Sequence, residues 1–495
     1  MNEPAAEVRE LRSQVRHWRR GRADATLSEV LQDAYVALFS TALLGSMVVN
    51  VVLNLGRLSD TFCTSRGCGA GRTVLPWATV LAALLAVVVL GRLFGPVYSS
   101  PAVSSWLLPS PLDRGALLRP RLLATLAVGG AAGATLTALG FALVSVVGLP
   151  LLVLALVGGL LAAATLALLV ATQAAGAPGE RTAAAGQAVV AAGLVGLLLA
   201  LALGVVPSLE PVRRLPGWAW PAVVALAVLA LAAAGRAVRR LPSMRLTALA
   251  PGGSLAPGLS GALANLDLAL VHDVVLGHRW RRRATVVPRR GGPSGPLALV
   301  HRDLLRLRRS PTSLLRVAAV VVVPWAAAAS GAGRLTVVVA VLVGFLVALP
   351  LLTGLRVLTR SVAMARSLPF PPALSRAAHL VVPLAVLTAY GLATGPATHV
   401  AGGSVRDTVL LGLAIGAGAT AAAARWVTGR PPDYSRPLVS TPAGGVPTNL
   451  YGSALRGFDI VLLTSLPMLV APAPTGETLS LLASAAVVGY LVARR

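Results

Sequence analysis

The sequence contains no lysine. All 43 of its basic residues are arginines, which outnumber the 17 acidic residues and give the chain a net charge of +26. A nucleotide-binding P-loop requires a lysine that reaches the β- and γ-phosphates. The missing lysine therefore excludes a P-loop ATPase in this chain, and any ATP-driven activity must take its ATPase from another polypeptide.

Charged residues of either sign are scarce. They make up 12% of the 495 residues, whereas hydrophobic residues make up 56%. A soluble domain carries about a quarter charged residues. The apolar residues form continuous runs of roughly 18 to 25, the length of a helix that crosses a bilayer. Continuous runs exclude a transmembrane β-barrel, whose strands alternate. The predicted fold is an all-α polytopic membrane protein.

Cysteine is almost absent, and Cys63 and Cys68 are its two copies. Two cysteines lack the further ligands of a zinc site, and the six histidines show no ligand spacing, so we predict no metal site. Both cysteines fall between the first two apolar runs. If the N-terminus lies inside, they lie outside, where a disulfide persists. We predict a Cys63–Cys68 disulfide, with two free thiols as the alternative.

Arginine-rich segments alternate with apolar runs, and such segments mark the cytoplasmic side. This pattern places both termini in the cytoplasm and the chain in a bacterial cell membrane. Twelve spans are predicted, at residues 34–55, 74–97, 121–147, 150–172, 187–206, 218–235, 311–331, 334–355, 380–395, 408–426, 454–470 and 478–492.

Four regions follow from this reading. Residues 1–33 form a cytoplasmic amphipathic N-terminal helix, although a solvated basic terminus is the alternative. Residues 34–235 form the first six-helix half and residues 311–495 the second. Residues 236–310 form a basic cytoplasmic linker, rich in Pro and Gly, that attracts anionic lipid headgroups and ends in a second amphipathic helix. Nucleic acid is not an expected partner.

Two proline-rich loops recur in the halves, at residues 106–121 and 367–376. Three residues of the first loop are repeated in the second at an offset of 260, and three residues before span one are repeated before span seven at an offset of 270. The ten extra residues are accounted for by the cysteine segment. The pairs are Leu108/Leu368, Pro109/Pro369, Pro111/Pro371, Leu27/Leu297, Val30/Val300 and Asp33/Asp303. They predict an internal duplication of six plus six spans.

The predicted spans carry few ionisable groups, which ion-coupled transporters need. Asp459 is the one candidate for an intramembrane acid, and a polar contact near the cytoplasmic face is the alternative. No Ser/His/Asp grouping predicts an enzyme. Glycine and alanine inside the spans fit close helix packing and a passage for a hydrophobic substrate equally well.

The amphipathic segments before spans one and seven, with the two Leu-Pro-x-Pro loops, make the chain resemble the permease subunits of type-2 ABC exporters. The resemblance implies that the loops dock two ATPase subunits, which carry ATP and Mg²⁺, and that this chain holds no cofactor. The implied docking residues are Pro109, Pro111, Leu112, Asp113, Arg114, Pro369, Pro371, Leu374 and Arg376.

One feature departs from that family: its large extracellular domain before the last span of a half is absent. We therefore expect export of a lipid, peptide or drug-like molecule without a more specific assignment. Two other functions stay open: a membrane scaffold or assembly protein, and, after it, a secondary transporter. For the loops themselves, ordinary reverse turns with arginines that mark the cytoplasmic side are the alternative.

Overall fold

The chain is an all-α polytopic membrane protein. A computed structural model describes residues 7–8, 10–11, 13–15, 17, 27–63, 65–206, 217, 219–264, 268–281, 291–398, 404–429, 438–441, 444–447 and 455–494. In these residues, ten helices are long and apolar enough to cross a membrane, and there are eleven such spans if a bent helix pair crosses as one. One further apolar helix has 13 residues. The six-plus-six count therefore stays a prediction.

The first half consists of six long helices. Each is rich in Leu, Val and Ala. Pro150 lies in the first turn of its helix, where a missing N–H costs no hydrogen bond, whereas Pro120 lies inside its helix. The helices are α1 (Leu27–Phe62), α2 (Arg66–Phe94), α3 (Arg114–Ala142), α4 (Leu149–Ala175), α5 (Ala177–Ala202) and α6 (Ala219–Arg240).

The predicted linker between the halves is largely helical. After a 3₁₀ turn at Leu241–Ser243 come α7 (Leu246–Ala264), α8 (Leu268–Arg281) and α9 (Leu297–Arg309). Helix α7 packs on α2, because Gly252 and Gly253 carry no side chain where the backbone of residues 94–100 passes. The Pro-Gly stretch at 251–253 is thus part of a packed helix. Residues 282–283 of the arginine run lie outside the described residues.

The second half is built from shorter and more broken helices. They are α10 (Thr312–Val320), α11 (Val322–Ala329), α12 (Leu335–Ala348), α13 (Thr353–Arg360), α14 (Val362–Ser367), α15 (Pro372–Thr398), α16 (Val405–Val427), α17 (Phe458–Val470) and α18 (Thr475–Ala493), with a hairpin of β1 (Leu438–Thr441) and β2 (Gly444–Pro447) before α17. Helices α12 and α13 form the bent pair, with an angle of 64° between them.

The largest buried core lies around α16. Its alanines from 421 to 424 are fully buried, and it packs against α12, α15, α17 and α18. Glycines bring α15 and α16 close together: a Cβ at Gly391 would lie 2.1 Å from the carbonyl oxygen of Gly412. Small residues are what let membrane helices approach in this way. The glycines of α15 and α16 therefore serve packing.

The halves meet at the end of the membrane that carries the cysteines. Cys63 and Cys68 form a disulfide, and α2 begins within this loop, eight residues before the predicted span. The first turns of α2 pack on the end of α11: a Cβ at Gly67 would lie 2.3 Å from the carbonyl oxygen of Ala329, and one at Gly71 would lie 2.4 Å from Ser330 Cβ.

The two segments that match before spans one and seven differ in structure. Residues 27–33 are the start of the continuous 36-residue helix α1. Residues 297–303 belong to α9, a separate helix that ends at Ser310 before α10 begins. The expected amphipathic helix at residues 5–22 is helical where it is described, but the remaining positions lie outside the described residues.

Candidate functional site

The first proline-rich loop is held by a buried leucine. A five-residue π-helix at Val103–Leu107 leads into it, and the backbone N–H of Leu108 donates to the carbonyl oxygen of Val103 at 3.0 Å. The Leu108 side chain is 0% exposed and packs in a cluster with Leu118, Leu122 and Leu241. Leu108 therefore fixes the loop to the bundle.

Asp113 and Arg114 stabilise the conformation of this loop through hydrogen bonds to its own backbone. Asp113 is the N-cap of α3: its Oδ1 accepts from the backbone N–H of Gly115 at 2.8 Å, which satisfies one free donor of the helix. Arg114 Nε donates to the Leu108 carbonyl oxygen at 3.1 Å. The two charged residues that the expected docking set has in this loop thus stabilise the loop's own conformation.

The exposed part of the first loop is apolar. Pro109 and Pro111 are exposed and Leu112 is half-buried. Trp106, which precedes them on the π-helix, is 80% exposed. Trp106 and the two prolines together form an exposed, largely apolar surface. The expected docking set did not include Trp106, although a tryptophan just before a Pro-x-Pro turn is a visible signal.

The second loop repeats the same order of elements. Helix α14 begins at the cap Ser361, whose Oγ accepts from the Met364 N–H at 3.3 Å, and the Leu-Pro-x-Pro turn follows it. Helix α15 then begins at Pro372. Pro369 and Pro371 are exposed, and Leu374 is 43% exposed. Each half thus presents two exposed prolines between a short helix and a long one.

Arg376 faces the interior of its own half. Its guanidinium donates to the carbonyl oxygens of Leu491 and Val492 at 3.5 and 3.4 Å and to that of Arg494. These are terminal carbonyls of α18, which lack partners within their helix. Arg376 therefore ties α15 to the end of α18, much as Arg114 ties α3 to its loop.

The two loops lie on the same side of the membrane when the bent pair of α12 and α13 is counted as one span. Six spans then separate them: α3, α4, α5, α6, α10 with α11, and α12 with α13. An even number of crossings returns the chain to the side from which it started. The cysteine loop is one span away from the first loop and lies on the opposite side.

Two ionic groups hold α13 next to the second loop. Arg356, 3% exposed, pairs with Asp273 of α8, and its Nη2 donates to Asp273 Oδ2 at 2.6 Å. On the other side, a Cβ at Gly354 would lie 2.7 Å from His379 Nδ1 and 2.9 Å from Asp303 Oδ1. These contacts fix α13 against α8, α9 and α15.

Asp303, Arg306 and His379 form a buried cluster between α9 and α15. Asp303 Oδ2 lies 2.5 Å from His379 Nδ1, and Asp303 Oδ1 lies 3.2 Å from Arg306 Nη1. Burial lowers the pKa of the Arg306 guanidinium, and the charge of Asp303 opposes that shift. The spacing of the histidines in the sequence did not indicate this contact, because 76 residues separate His379 from Asp303.

The structure locates two acids at the ends of the last spans. Asp459, the expected intramembrane acid, has a side chain that is 42% exposed and lies 3.5 Å from Arg425. Glu477, in the first turn of α18, is only 7% exposed, and its Oε2 has no hydrogen-bond partner among the described residues. Glu477 was not among the predicted candidates for an intramembrane acid, because the expected span began at residue 478. In the described part of the chain, no group of three His, Cys, Asp or Glu side chains is placed to hold a metal.

The sequence profile of a family of unknown function, DUF6297, matches residues 68–437. The matched segment covers about three quarters of the chain and includes both proline-rich loops. A search of curated proteins found no relative that matches the chain.

Proposed function

The chain belongs to the family of unknown function DUF6297, and we propose that it is the membrane-spanning permease subunit of an ABC exporter. Separate ATPase subunits, two per chain, would bind ATP and Mg²⁺. The substrate would be hydrophobic or amphipathic, such as a lipid, a peptide or a drug-like molecule. The chain would lie in a bacterial cell membrane with both termini and both loops in the cytoplasm.

The observation that carries this proposal is the repetition of one order of elements in both halves. A short helix, a Leu-Pro-x-Pro turn with exposed prolines and a long helix follow one another at residues 103–142 and 362–398. A motor that acts on two halves needs two equivalent contacts, each joined rigidly to a span. Helices α3 and α15 begin directly after the turns, so movement of either loop would reach the membrane through a continuous helix.

The side-chain positions refine the docking surface that we propose. Its contact residues are Trp106, Pro109, Pro111, Pro369, Pro371 and Leu374, which are the exposed ones. Asp113, Arg114 and Arg376 position the loops, because their polar atoms bond to the protein's own backbone. Leu112 is half-buried and lies at the edge of the surface.

Co-purification tests the docking surface. The chain is expressed together with the proteins encoded beside its gene, and any ATPase retained with the membrane protein is measured. We expect the wild-type chain to retain the ATPase and the Trp106→Ala/Pro109→Ala/Pro369→Ala variant to lose most of it. Val405→Ala is the control, because Val405 is 82% exposed on α16 at the other end of the bundle. Retention by the triple variant would overturn the docking surface, and absence of any ATPase would favour a scaffold.

The cysteines test the orientation. After mild reduction of intact cells, a maleimide that cannot cross membranes should label Cys63 and Cys68, because they lie opposite to the loops. Labelling that requires disruption of the inner membrane would reverse the proposed topology. A Cys63→Ser/Cys68→Ser variant controls for labelling of other proteins.

One observation favours a second candidate, secondary transport. Glu477 is a buried acid in a membrane helix, and such residues often bind coupling ions. Substrate uptake or efflux that continues in proteoliposomes without any ATPase, and that Glu477→Gln abolishes, would support this candidate instead of the ABC exporter.

A further inference from the structure

A cavity of about 530 Å³ lies behind the second loop. It is enclosed where the end of α13, the end of α18 and residue Thr428 after α16 meet α14 and the start of α15. All these ends lie at one surface of the membrane bundle, because the spans alternate in direction. The cavity is therefore placed at the depth where lipid headgroups meet acyl chains.

The polar lining of this cavity is strongly basic. Arg366, Arg376 and Arg494 line it, and the described lining residues include no Asp or Glu. Arg376 is anchored to the carbonyl oxygens of α18, and the Arg494 guanidinium lies 6.0 Å from the ring centre of Tyr490. Two of the three guanidinium groups are thus held in position by the protein itself.

Apart from Thr359 and Thr428, the rest of the lining is apolar. Leu358, Leu368, Phe370, Pro372 and Leu491 form this wall. An inorganic anion would contact the arginines and leave the apolar wall uncovered, whereas an amphiphile would contact both the arginines and the apolar wall. A guanidinium binds phosphate oxygens through paired hydrogen bonds, and basic pockets between membrane helices bind the headgroups of anionic lipids.

The first half offers an internal comparison. Its cavity of about 370 Å³ at the same side of the bundle is lined by Arg92 and Arg245 but also by Glu180. The acid removes half of the positive charge there. Of these two cavities, the one in the second half combines three arginines with a lining that has no acid among the described residues and is largely apolar.

We propose that the cavity behind the second loop binds one anionic phospholipid, with its phosphate on Arg366 and Arg494 and its acyl chain against Phe370 and Leu491. This site does not depend on an ATPase partner. A lipid bound there would contact the same Leu-Pro-x-Pro turn that we propose as a docking loop, and would therefore couple lipid composition to the shape of that loop.

The test is native mass spectrometry of the purified full chain in a neutral detergent. Dioleoyl phosphatidylglycerol and dioleoyl phosphatidylcholine are titrated separately. We expect one phosphatidylglycerol to bind in preference to phosphatidylcholine, and Arg366→Gln/Arg494→Gln to weaken that binding by about thirtyfold, since each of the two arginines near a membrane surface contributes on the order of 1 kcal/mol. Arg239→Gln/Arg240→Gln removes the same charge from exposed positions on α6 and should leave binding unchanged.

A second variant separates loss of binding from loss of folding. Ala365 lines the cavity, and Ala365→Phe would fill it while all three arginines remain. We expect this variant to lose the lipid and to keep the thermal unfolding midpoint of the lipid-free wild type.

Three outcomes would overturn the proposal. One is equal binding of the two lipids, and another is full binding by either cavity variant. The third is displacement of phosphatidylglycerol by inorganic phosphate or glycerol 3-phosphate at similar concentrations, which would identify a free-anion site instead of a lipid site.

Discussion

Asp303 on α9 and His379 on α15 form a buried pair, with 2.5 Å between Asp303 Oδ2 and His379 Nδ1. The side chains are 4% and 6% exposed, and Arg306 lies on the other carboxylate oxygen. The pair joins the helix that enters the second half to the helix that follows the second loop.

Removal of the carboxylate should destabilise this connection strongly. Asp303→Ala leaves His379 and Arg306 without their shared acceptor, and loss of one partner from a buried ionic group costs about 3–5 kcal/mol. We expect a loss of that size in the free energy of unfolding, measured by denaturant titration in detergent micelles. Arg302→Ala, at the adjacent exposed position, is the control; a similar loss in that variant would mean that the effect belongs to the helix and not to the cluster.

Gly354 is the second test of the same region. A methyl group at this position would lie 2.7 Å from His379 Nδ1, so Gly354→Ala must displace the cluster. Overpacking of this kind costs about 1–3 kcal/mol, whereas glycine to alanine in an open helix position normally gains up to about 1 kcal/mol.

The matched control is Gly235→Ala on α6, where nothing lies within 4 Å of the added Cβ. We expect the thermal unfolding midpoint to fall for Gly354→Ala and to rise or stay level for Gly235→Ala. A rise in both variants would contradict the close approach of α13 to Asp303 and His379.

Gly67 tests the contact between the halves. Its added Cβ would lie 2.3 Å from the backbone carbonyl oxygen of Ala329, and a backbone atom cannot rotate away. Gly67→Ala should therefore separate α2 from α11 and lower the thermal unfolding midpoint by several degrees, while Gly45→Ala on α1, with nothing within 4 Å, should not. Equal midpoints for the two variants would argue against the interface.

Glu477 carries the fourth prediction. A buried carboxylate oxygen without a hydrogen-bond partner costs stability, and Gln keeps the shape while it removes the charge. We expect Glu477→Gln to raise the thermal unfolding midpoint at neutral pH, with Asp459→Asn, whose carboxylate is 42% exposed, as the control near zero. A lower midpoint for Glu477→Gln would indicate that the carboxylate binds a cation.

The two proline-rich loops show how much of the candidate site the sequence pattern could predict. The repeat of Leu108, Pro109 and Pro111 as Leu368, Pro369 and Pro371 was visible without coordinates, because proline restricts the backbone wherever it occurs. The sequence did not show which of the expected docking residues are exposed. Arginine is a residue type that is common at contact surfaces. The guanidinium groups of Arg114 and Arg376 nevertheless donate to backbone carbonyls that only the folded chain brings within reach.

The helix boundaries show a second limit of prediction from the sequence. Hydropathy located the apolar centre of nearly every span, but it missed the break between α12 and α13 and the extra turns at the start of α2, α15 and α18. Those turns contain glycine, serine, proline or a charged residue, which lower the average hydropathy although the backbone remains helical. The error was small in length, but it concealed Glu477.

By itself, the sequence determined that this chain crosses a membrane several times as helices, since long apolar runs cannot bury enough surface in any other way. It also determined that no P-loop lies in the chain and that two cysteines are close enough to pair. Only the tertiary structure decided that residues 246–264, 268–281 and 297–309 form helices, that Asp303 meets His379, and that Arg366, Arg376 and Arg494 converge on one cavity. These contacts join residues that lie tens to more than a hundred positions apart, and the periodicity of one helix does not indicate which other helix it contacts.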